Sequence, residues 1–318
     1  MFFKKYFFYG FWLVLTLLLA YWFSYPLDVL SRHNFFFGRD FIPSFWVLNW
    51  QLIQLSAGNF DQLFTGNSFY PLDRPIHFNV STFSIAIFTL PVFLLTKDPY
   101  VCYGVAVFSS YILSSLGMLL LARSLKLDYI ASFLAAMIFA FSAARHGVSG
   151  YIHLLTIQWM PFILLFIHKY FSEQRRVFLY WASLFYLIQI MASAYHGVFF
   201  SIILLPFVLI LIYQKDDFRL EKFAFDVAPP ILIVGIVAGA YFIPYLQAAQ
   251  EFGFKRSIIE QSAYGAPLAS FFSSPNSYFF SSWASNLKHV DGNTSPRYLP
   301  ILLSVASLFV LYKKNSTQ

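Results

Sequence analysis

Residues 177–213 read VFLYWASLFYLIQIMASAYHGVFFSIILLPFVLILIY, and this stretch decides the fold class. It contains no Asp, Glu, Lys or Arg. The small and polar run ASAYHG (192–197) divides it into two apolar segments, 177–192 and 197–213. Each segment is close to the length at which an α-helix crosses a lipid bilayer. The stretch therefore predicts two neighbouring membrane spans joined by a very short loop.

The whole chain has the composition of an integral membrane protein. Of its 318 residues, 59% are hydrophobic, 22% aromatic and 11% charged, and the mean hydropathy is +0.64. Ordinary soluble domains carry about 25% charged residues. We therefore predict an all-α fold: a polytopic helical membrane bundle that forms a single transmembrane domain over 1–318. The lone Cys102 excludes a disulfide framework within the chain.

The apolar segments predict about eight or nine transmembrane helices. Two long segments with polar residues, 26–80 and 250–297, interrupt the apolar runs, and we predict that both are extracytoplasmic loops. The first apolar run resembles a signal peptide, but it is long enough to be a retained span. The candidate spans are 6–25, 81–96, 99–122, 128–145, 151–170, 177–192, 197–213, 227–249 and 298–312.

Basic residues predict the orientation, because Lys and Arg collect in cytoplasmic loops. For the same reason the net charge of +7 does not indicate nucleic-acid binding. The basic clusters share the cytoplasmic side if one full span separates residue 80 from Arg123. We therefore expect 81–96, which is short and contains Pro91, to be a re-entrant or tilted element, with nine crossings as the alternative. The clusters are Lys4/Lys5, Arg123/Lys126, Lys169/Arg175/Arg176, Lys215/Arg219/Lys222 and Lys313/Lys314.

Residues 41–56 predict a helix in the outer membrane interface, with Trp46 and Trp50 as anchors. Apolar residues recur at helical spacing, and a narrow polar strip accompanies them. The apolar positions are Phe41, Phe45, Leu48, Leu52 and Leu55, and the polar positions are Ser44, Gln51 and Gln54.

Asp40 directly precedes this predicted helix, and Arg39 precedes Asp40. A helix N-terminus favours an ionised carboxylate, and a neighbouring arginine acts in the same direction. An ionised Asp at the membrane surface can accept a proton or bind a metal. The alternative is a helix-capping Asp paired with Arg39.

Other polar residues fall in loops that this topology places outside, where they can bind a substrate or form a packed lid. The histidines could bind a metal together with Asp40, although their spacing does not require one, and we predict no metal site. His196 could equally cap a helix end, and Arg297 could extend toward lipid headgroups. The further candidates are Asp73, Arg145, His146, His153, Tyr195, His196, Lys255, Arg256 and Arg297.

Three short stretches resemble the GT-C family of membrane glycosyltransferases. GRDFIPSFWVLNWQL (38–52) places Asp40 at the acidic position that this family carries soon after its first span. DQLFTGNSFYPLDRP (61–75) and HLLTIQWMPFILLFI (153–167) look like bacterial branches of the family. The resemblance covers most of the chain and implies a bacterial inner membrane protein with its active loops on the extracytoplasmic face.

The resemblance also implies a chemistry. The donor would be a sugar on a polyprenyl phosphate, and Asp40 would deprotonate an acceptor hydroxyl in an inverting displacement. Arg297, Arg256 and Arg145 would hold the leaving phosphate. An apolar groove between spans would bind the polyprenyl chain. The identity of the acceptor and the need for a divalent cation are not indicated.

The chain departs from the family in two respects, which leaves alternatives. It has fewer spans than the usual member, and Arg39 stands where a second acidic residue is common. A non-catalytic membrane subunit or degenerate relative is therefore one alternative. A transporter or lipid flippase is another, but it predicts ionisable residues near the centres of spans and an internal repeat. The sequence shows almost none of the former and no sign of the latter.

Overall fold

The structure, a computed structural model, describes most of the chain. The described residues are 2–24, 41–69, 71–72, 75–80, 82–142, 145, 150–253, 255, 257–263, 302–303 and 305–306. All regular structure within these ranges is helical, which confirms the all-α class. The chain divides into two compact units, one made of Met1–Ala140 with Ser149–Gly253 and the other of Phe141–Val148 with Phe254–Gln318.

Among the described residues, the first unit contains ten α-helices, and the second contains the short helix Ile258–Ala263. Short 3-10 turns lie at Phe60–Gln62 and Pro75–Phe78. In chain order the helices are α1 (Phe2–Ser24), α2 (Phe41–Ala57), α3 (Phe83–Thr96), α4 (Pro99–Ser124), α5 (Tyr129–Ala140), α6 (Ile152–Leu155), α7 (Met160–Glu173), α8 (Val177–Ala192), α9 (Ala194–Tyr213), α10 (Leu220–Glu251) and α11 (Ile258–Ala263).

Five helical segments among the described residues are long and apolar enough to cross a membrane: Tyr6–Ser24, Pro99–Ser124, Ile152–Glu173, Ala194–Tyr213 and Leu220–Glu251. Only 17% of the apolar window in α9 and 11% of that in α10 is buried within the protein. Such exposed apolar surface suits contact with lipid, where a helix satisfies its own backbone hydrogen bonds. The helices α3, α5 and α8 are apolar but shorter.

Helix α1 runs antiparallel to α4. The Trp12 indole donates to Ser115 Oγ at 2.9 Å, and the Phe23 and Tyr111 rings are 6.0 Å apart. At the other end of α1, Phe8 lies 4.8 Å from Tyr129 at the start of α5. The N-terminal end of α1 therefore lies beside the junction of α4 and α5.

One end of the first unit carries basic residues from several elements. They belong to the α4–α5 junction, to α7, to the residues just before α8 and to the segment around 215–222. Ser124 and His168 join α4 to α7 at 3.2 Å. The Lys215 ammonium donates to the carbonyl of Phe171 at 3.0 Å, and that of Lys222 donates to Gln174 at 3.1 Å. We call this the basic end. The opposite end, where α8 terminates and α6 begins, is called the distal end.

Helices α3 and α4 form an antiparallel hairpin. The Cys102 thiol lies 3.8 Å from the carbonyl of Thr89, and the carboxylate of Asp98 caps α4 by accepting from the backbone N–H of Tyr100 at 2.9 Å. Near the start of α3, Ser84 donates to the carbonyl of Ile188, close to the distal end of α8. Both ends of α3 therefore lie away from the basic end.

Several predicted boundaries differ from the structure. Helix α5 ends at Ala140, five residues before the predicted end at 145, and the predicted span 151–170 is broken between Leu155 and Met160. The predicted loop at 192–197 is nearly absent. Ser193 adopts an extended conformation and its hydroxyl accepts from the N–H of His196 at 3.4 Å. Because Ser193 caps the helix, α9 begins at Ala194. The predicted span 298–312 falls mostly outside the described residues.

Helix α2 is present as predicted, but two of the three residues of its polar strip face protein. Ser44 and Gln51 are fully buried, and Gln51 accepts a hydrogen bond from Thr82 at 3.0 Å. The Trp46 and Trp50 indoles donate to Asn67 and to the carbonyl of Gln62. These hydrogen bonds attach both indoles to the segment that follows α2. The role of Trp46 and Trp50 as anchors in the membrane interface stays a prediction.

Candidate functional site

The start of α2 is held against α4 and α6 at the distal end. The Phe41 ring packs edge-on against Tyr103 of α4, with 5.0 Å between ring centroids. The Tyr103 hydroxyl donates to the carbonyl of Gly150 at 3.2 Å, just before α6, and α2 also contacts α6 directly. The first residue after Asp40 in the sequence is therefore tied to the segment that carries His153.

Two histidines from different helices lie together beside this contact. The His153 side chain, on α6, is 6% exposed, and its ring centroid lies 6.4 Å from that of Tyr151 and 6.5 Å from that of Tyr195. His196, in the first turn of α9, interacts electrostatically with His153. We call Tyr103, Tyr151, His153, Tyr195 and His196 the distal cluster.

The His153 imidazole has unused hydrogen-bonding capacity. Its Nδ1 is buried and has no hydrogen-bond partner among the described residues. Buried polar atoms are nearly always paired, so an exception calls for an explanation such as a bound water or ligand group. An imidazole can donate to or accept from a hydroxyl, and hydroxyls are the groups that a sugar offers.

Polar side chains stabilise the break between α6 and α7. The Gln189 amide donates to the carbonyl of Thr156 at 2.7 Å. Ser110 lies 2.7 Å from Gln158 Oε1 and 3.2 Å from the carbonyl of Leu155. These side chains satisfy carbonyls that a continuous helix would have used, which makes irregular backbone tolerable inside an apolar bundle. A cavity of about 10 Å³ beside the break has room for a single water.

Aromatic rings tie the distal part of α10 to the segment between α2 and α3. The His77 ring stacks on Phe64 at 5.3 Å and meets Tyr245 edge-on at 4.6 Å. Tyr241 packs against both Phe64 and Phe83 at 5.6 Å. These rings cover one another, so this group holds α10 in place and offers little open face for a sugar.

The structure brings together three of the predicted site residues: His153, Tyr195 and His196. Arg145 and Lys255 belong to the second unit. Arg145 is buried and its backbone N–H donates to the carbonyl of Ser142, whereas Lys255 is exposed. The other predicted site residues lie outside the described residues. They are Arg39, Asp40, Asp73, His146, Arg256 and Arg297.

The described part of the chain holds no group of three His, Cys, Asp or Glu side chains that could bind a metal ion. The pair His153 and His196 therefore has no third ligand among those residues. Asp40 and His146, which the sequence suggested as further ligands, are not among them.

Sequence reasoning missed Tyr103, Gln158 and Gln189. Each glutamine stands in an otherwise apolar run, TIQWM or LIQIM, and polar residues in such runs usually face the bundle interior. That signal could have identified the polar element at the helix break.

No protein-family model, curated protein or solved structure matches this chain. The resemblance to membrane glycosyltransferases therefore rests on the three short motifs.

Proposed function

We propose that the chain is a membrane glycosyltransferase that moves a sugar from a polyprenyl-phosphate donor to an acceptor hydroxyl with inversion. One observation carries the proposal: the start of α2 contacts Tyr103 and α6, and so joins the position after Asp40 to the distal cluster. By the positive-inside rule the distal end faces away from the cytoplasm.

Asp40 is the proposed general base. It directly precedes Phe41, the first residue of α2, and a helix N-terminus keeps a nearby carboxylate ionised and ready to accept a proton. The free nitrogen of His153 and the hydroxyl of Tyr195 are proposed to orient the sugar or the acceptor by hydrogen bonds. Phosphate binding by Arg145, Arg256 and Arg297 stays a prediction from the resemblance, because these residues belong to the second unit.

The proposed topology has eight full crossings, with α3 as a non-crossing element. A crossing by α3 requires one of its ends to reach the basic end. Instead, Ser84 at its start contacts the distal part of α8, and its other end joins α4 at Asp98. This arrangement supports the model in which all the basic clusters face the cytoplasm.

Transport is less well supported. The break between α6 and α7 is a feature that transporters also use. However, the ionisable residues of the described spans lie close to the helix ends, as Arg123, His153 and Asp226 do. A coupling ion or charged substrate that crosses a bilayer usually needs such groups near the middle of the spans.

The test compares the glycans of cells that express the wild type or Asp40→Asn at matched membrane levels. Loss of a general base lowers the rate by about 10²–10⁴, so we expect the glycan product to disappear. Asp61→Asn is the matched control, because Asp61 is an exposed acid of the same loop that hydrogen-bonds only its neighbour Gln62 in the described structure. An unchanged glycan profile with Asp40→Asn would remove Asp40 as the base. Lost flux of a solute, with no altered linkage, would support transport instead.

A further inference from the structure

A second pocket lies at the basic end, remote from the distal cluster. Its volume is about 270 Å³, and the segment between α9 and α10 forms one wall. Lys215, Arg219 and Lys222 line it, together with one acid, Asp217. The lining therefore carries three positive charges and one negative charge, a net of +2. Asp216 and Glu221 lie in the same segment but do not line the pocket.

The cations are partly fixed in place yet keep hydrogen-bonding capacity. Lys215 is half-buried, and its ammonium donates to the carbonyl of Phe171, while that of Lys222 donates to the amide oxygen of Gln174. An ammonium group has three donors, so each lysine can still donate to a bound anion. Helix α10 begins beside the pocket at Leu220, and its N-terminus adds partial positive charge.

An apolar groove of about 410 Å³ adjoins this pocket and is lined by residues of α7, α8, α9 and α10. Phe223 lines both the pocket and the groove. Three of the side chains that line the groove are polar: Ser183, Tyr186 and Ser201. Two of them are already used, since the hydroxyls of Tyr186 and Ser201 lie 2.8 Å apart and both lie within bonding distance of the carbonyl of Gly197. The groove therefore suits a hydrocarbon chain, and its size is typical of ligand pockets.

We infer that the pocket and the groove form one binding site for an anionic phospholipid of the leaflet at the basic end. The phosphate headgroup lies among Lys215, Arg219 and Lys222, and an acyl chain lies in the groove. Charge complementarity selects the headgroup, and the shared Phe223 shows that the two cavities are adjacent, so one lipid can reach both. Basic pockets between membrane helices on the cytoplasmic side are suited to anionic lipid headgroups, because that leaflet is rich in them.

The experiment measures lipid retention by the full chain, purified in a nonionic detergent, with native mass spectrometry. The probes are phosphatidylglycerol, phosphatidylcholine and glycerol phosphate. We expect wild-type protein to retain phosphatidylglycerol over phosphatidylcholine by about tenfold or more. The triple variant Lys215→Gln, Arg219→Gln, Lys222→Gln should lose about 10- to 100-fold in phosphatidylglycerol retention.

The matched charge control is Lys126→Gln, Lys169→Gln, Arg175→Gln, which removes three cations from the basic end outside the pocket. It should keep the preference for phosphatidylglycerol. Leu205→Trp fills the groove at an exposed position and should weaken retention. Leu209→Trp, at another exposed position outside the groove lining, should not. Both leucines face outward, so folding is not expected to differ.

Three results would overturn the inference. The first is equal retention of the two phospholipids by the wild type. The second is unchanged retention of phosphatidylglycerol by the pocket variant. The third is displacement of phosphatidylglycerol by glycerol phosphate, which would assign the pocket to a soluble phosphate compound. None of these readouts depends on sugar transfer, so the outcome is independent of the proposed function.

Discussion

Arg176, which precedes α8, forms an ion pair with Asp226 near the start of α10, and the Tyr170 hydroxyl donates to the same carboxylate at 2.8 Å. The side chain of Asp226 is fully buried, whereas that of Arg176 is 54% exposed. Three helices therefore meet at one carboxylate. A buried carboxylate is costly unless it is paired, so the energetic consequence of breaking the pair depends on which partner is removed.

Arg176→Gln should destabilise the protein by about 2 kcal/mol, because it leaves the Asp226 carboxylate buried with only the Tyr170 hydroxyl as a described partner. The double variant Arg176→Gln, Asp226→Asn should recover part of this loss, since no uncompensated charge remains. Arg175→Gln is the control and should change the free energy of unfolding by less than about 0.5 kcal/mol. Denaturant titration in detergent micelles measures all three variants. Equal effects of the Arg175 and Arg176 changes would show that the ion pair contributes nothing.

Gly197 is required where α9 passes α8. A Cβ at this position would lie 2.4 Å from Ile190 Cγ1 and 2.8 Å from Ile190 Cβ. Ile190 Cβ is bonded directly to the backbone, so a change of rotamer cannot move it away. The two helices must therefore separate. Gly197→Ala should therefore cost about 1–3 kcal/mol in the free energy of unfolding.

Gly235→Ala, within α10, is the matched control for this substitution. A Cβ there meets nothing within 4 Å, so alanine should leave stability unchanged or raise it by up to about 1 kcal/mol. The melting temperature in detergent should fall for Gly197→Ala and should stay the same or rise for Gly235→Ala. A fall of similar size in both would mean that helix packing at Gly197 is looser than the contact with Ile190 indicates.

Ser110 supports the break between α6 and α7. Its single proton can be donated to Gln158 Oε1 or to the carbonyl of Leu155, and all of these groups are buried. Ser110→Ala should cost about 1–2 kcal/mol, because it leaves buried acceptors without this donor. Ser109→Ala should have a smaller effect, since Ser109 bonds the carbonyl of Ala106 in its own helix. Thermal unfolding of the two neighbours in one detergent gives the comparison, and equal shifts would contradict the role assigned to Ser110.

The length of the apolar runs was enough to predict most of the helices. The segment 177–192 matches α8 at both ends, because the charged pair Arg175 and Arg176 precedes it and Ser193 follows it. The helix break at 156–159 could not be predicted in this way. It depends on Gln189 and Ser110, which are distant in sequence and supply the partners that the freed carbonyls need.

The candidate site was predictable in part. The placement of His153, Tyr195 and His196 on one face followed from the topology, and the structure brings them together. The burial of Gln51 was not evident, because a polar strip on a surface helix normally faces water and only the position of Thr82 makes it favourable inside. The pocket at the basic end was also missed, because the sequence 215–222 alternates acids and bases and only the structure separates them.

Labelling of introduced cysteines decides the topology. The background is Cys102→Ser, which removes the one native thiol. Asp61, Lys97 and Asp216 are exposed, and the structure places Lys97 at the turn between α3 and α4. We expect a membrane-impermeant maleimide to label Asp61→Cys and Lys97→Cys on intact cells, and Asp216→Cys only after permeabilisation. Asp216 lies beside the basic residues of the segment 215–222, which should face the cytoplasm.

If α3 crosses the membrane, Lys97→Cys and Asp61→Cys must lie on opposite sides, and only one of them will react on intact cells. That result would replace the eight-crossing arrangement with nine crossings and reverse the side assigned to every later helix, including the one that carries His153.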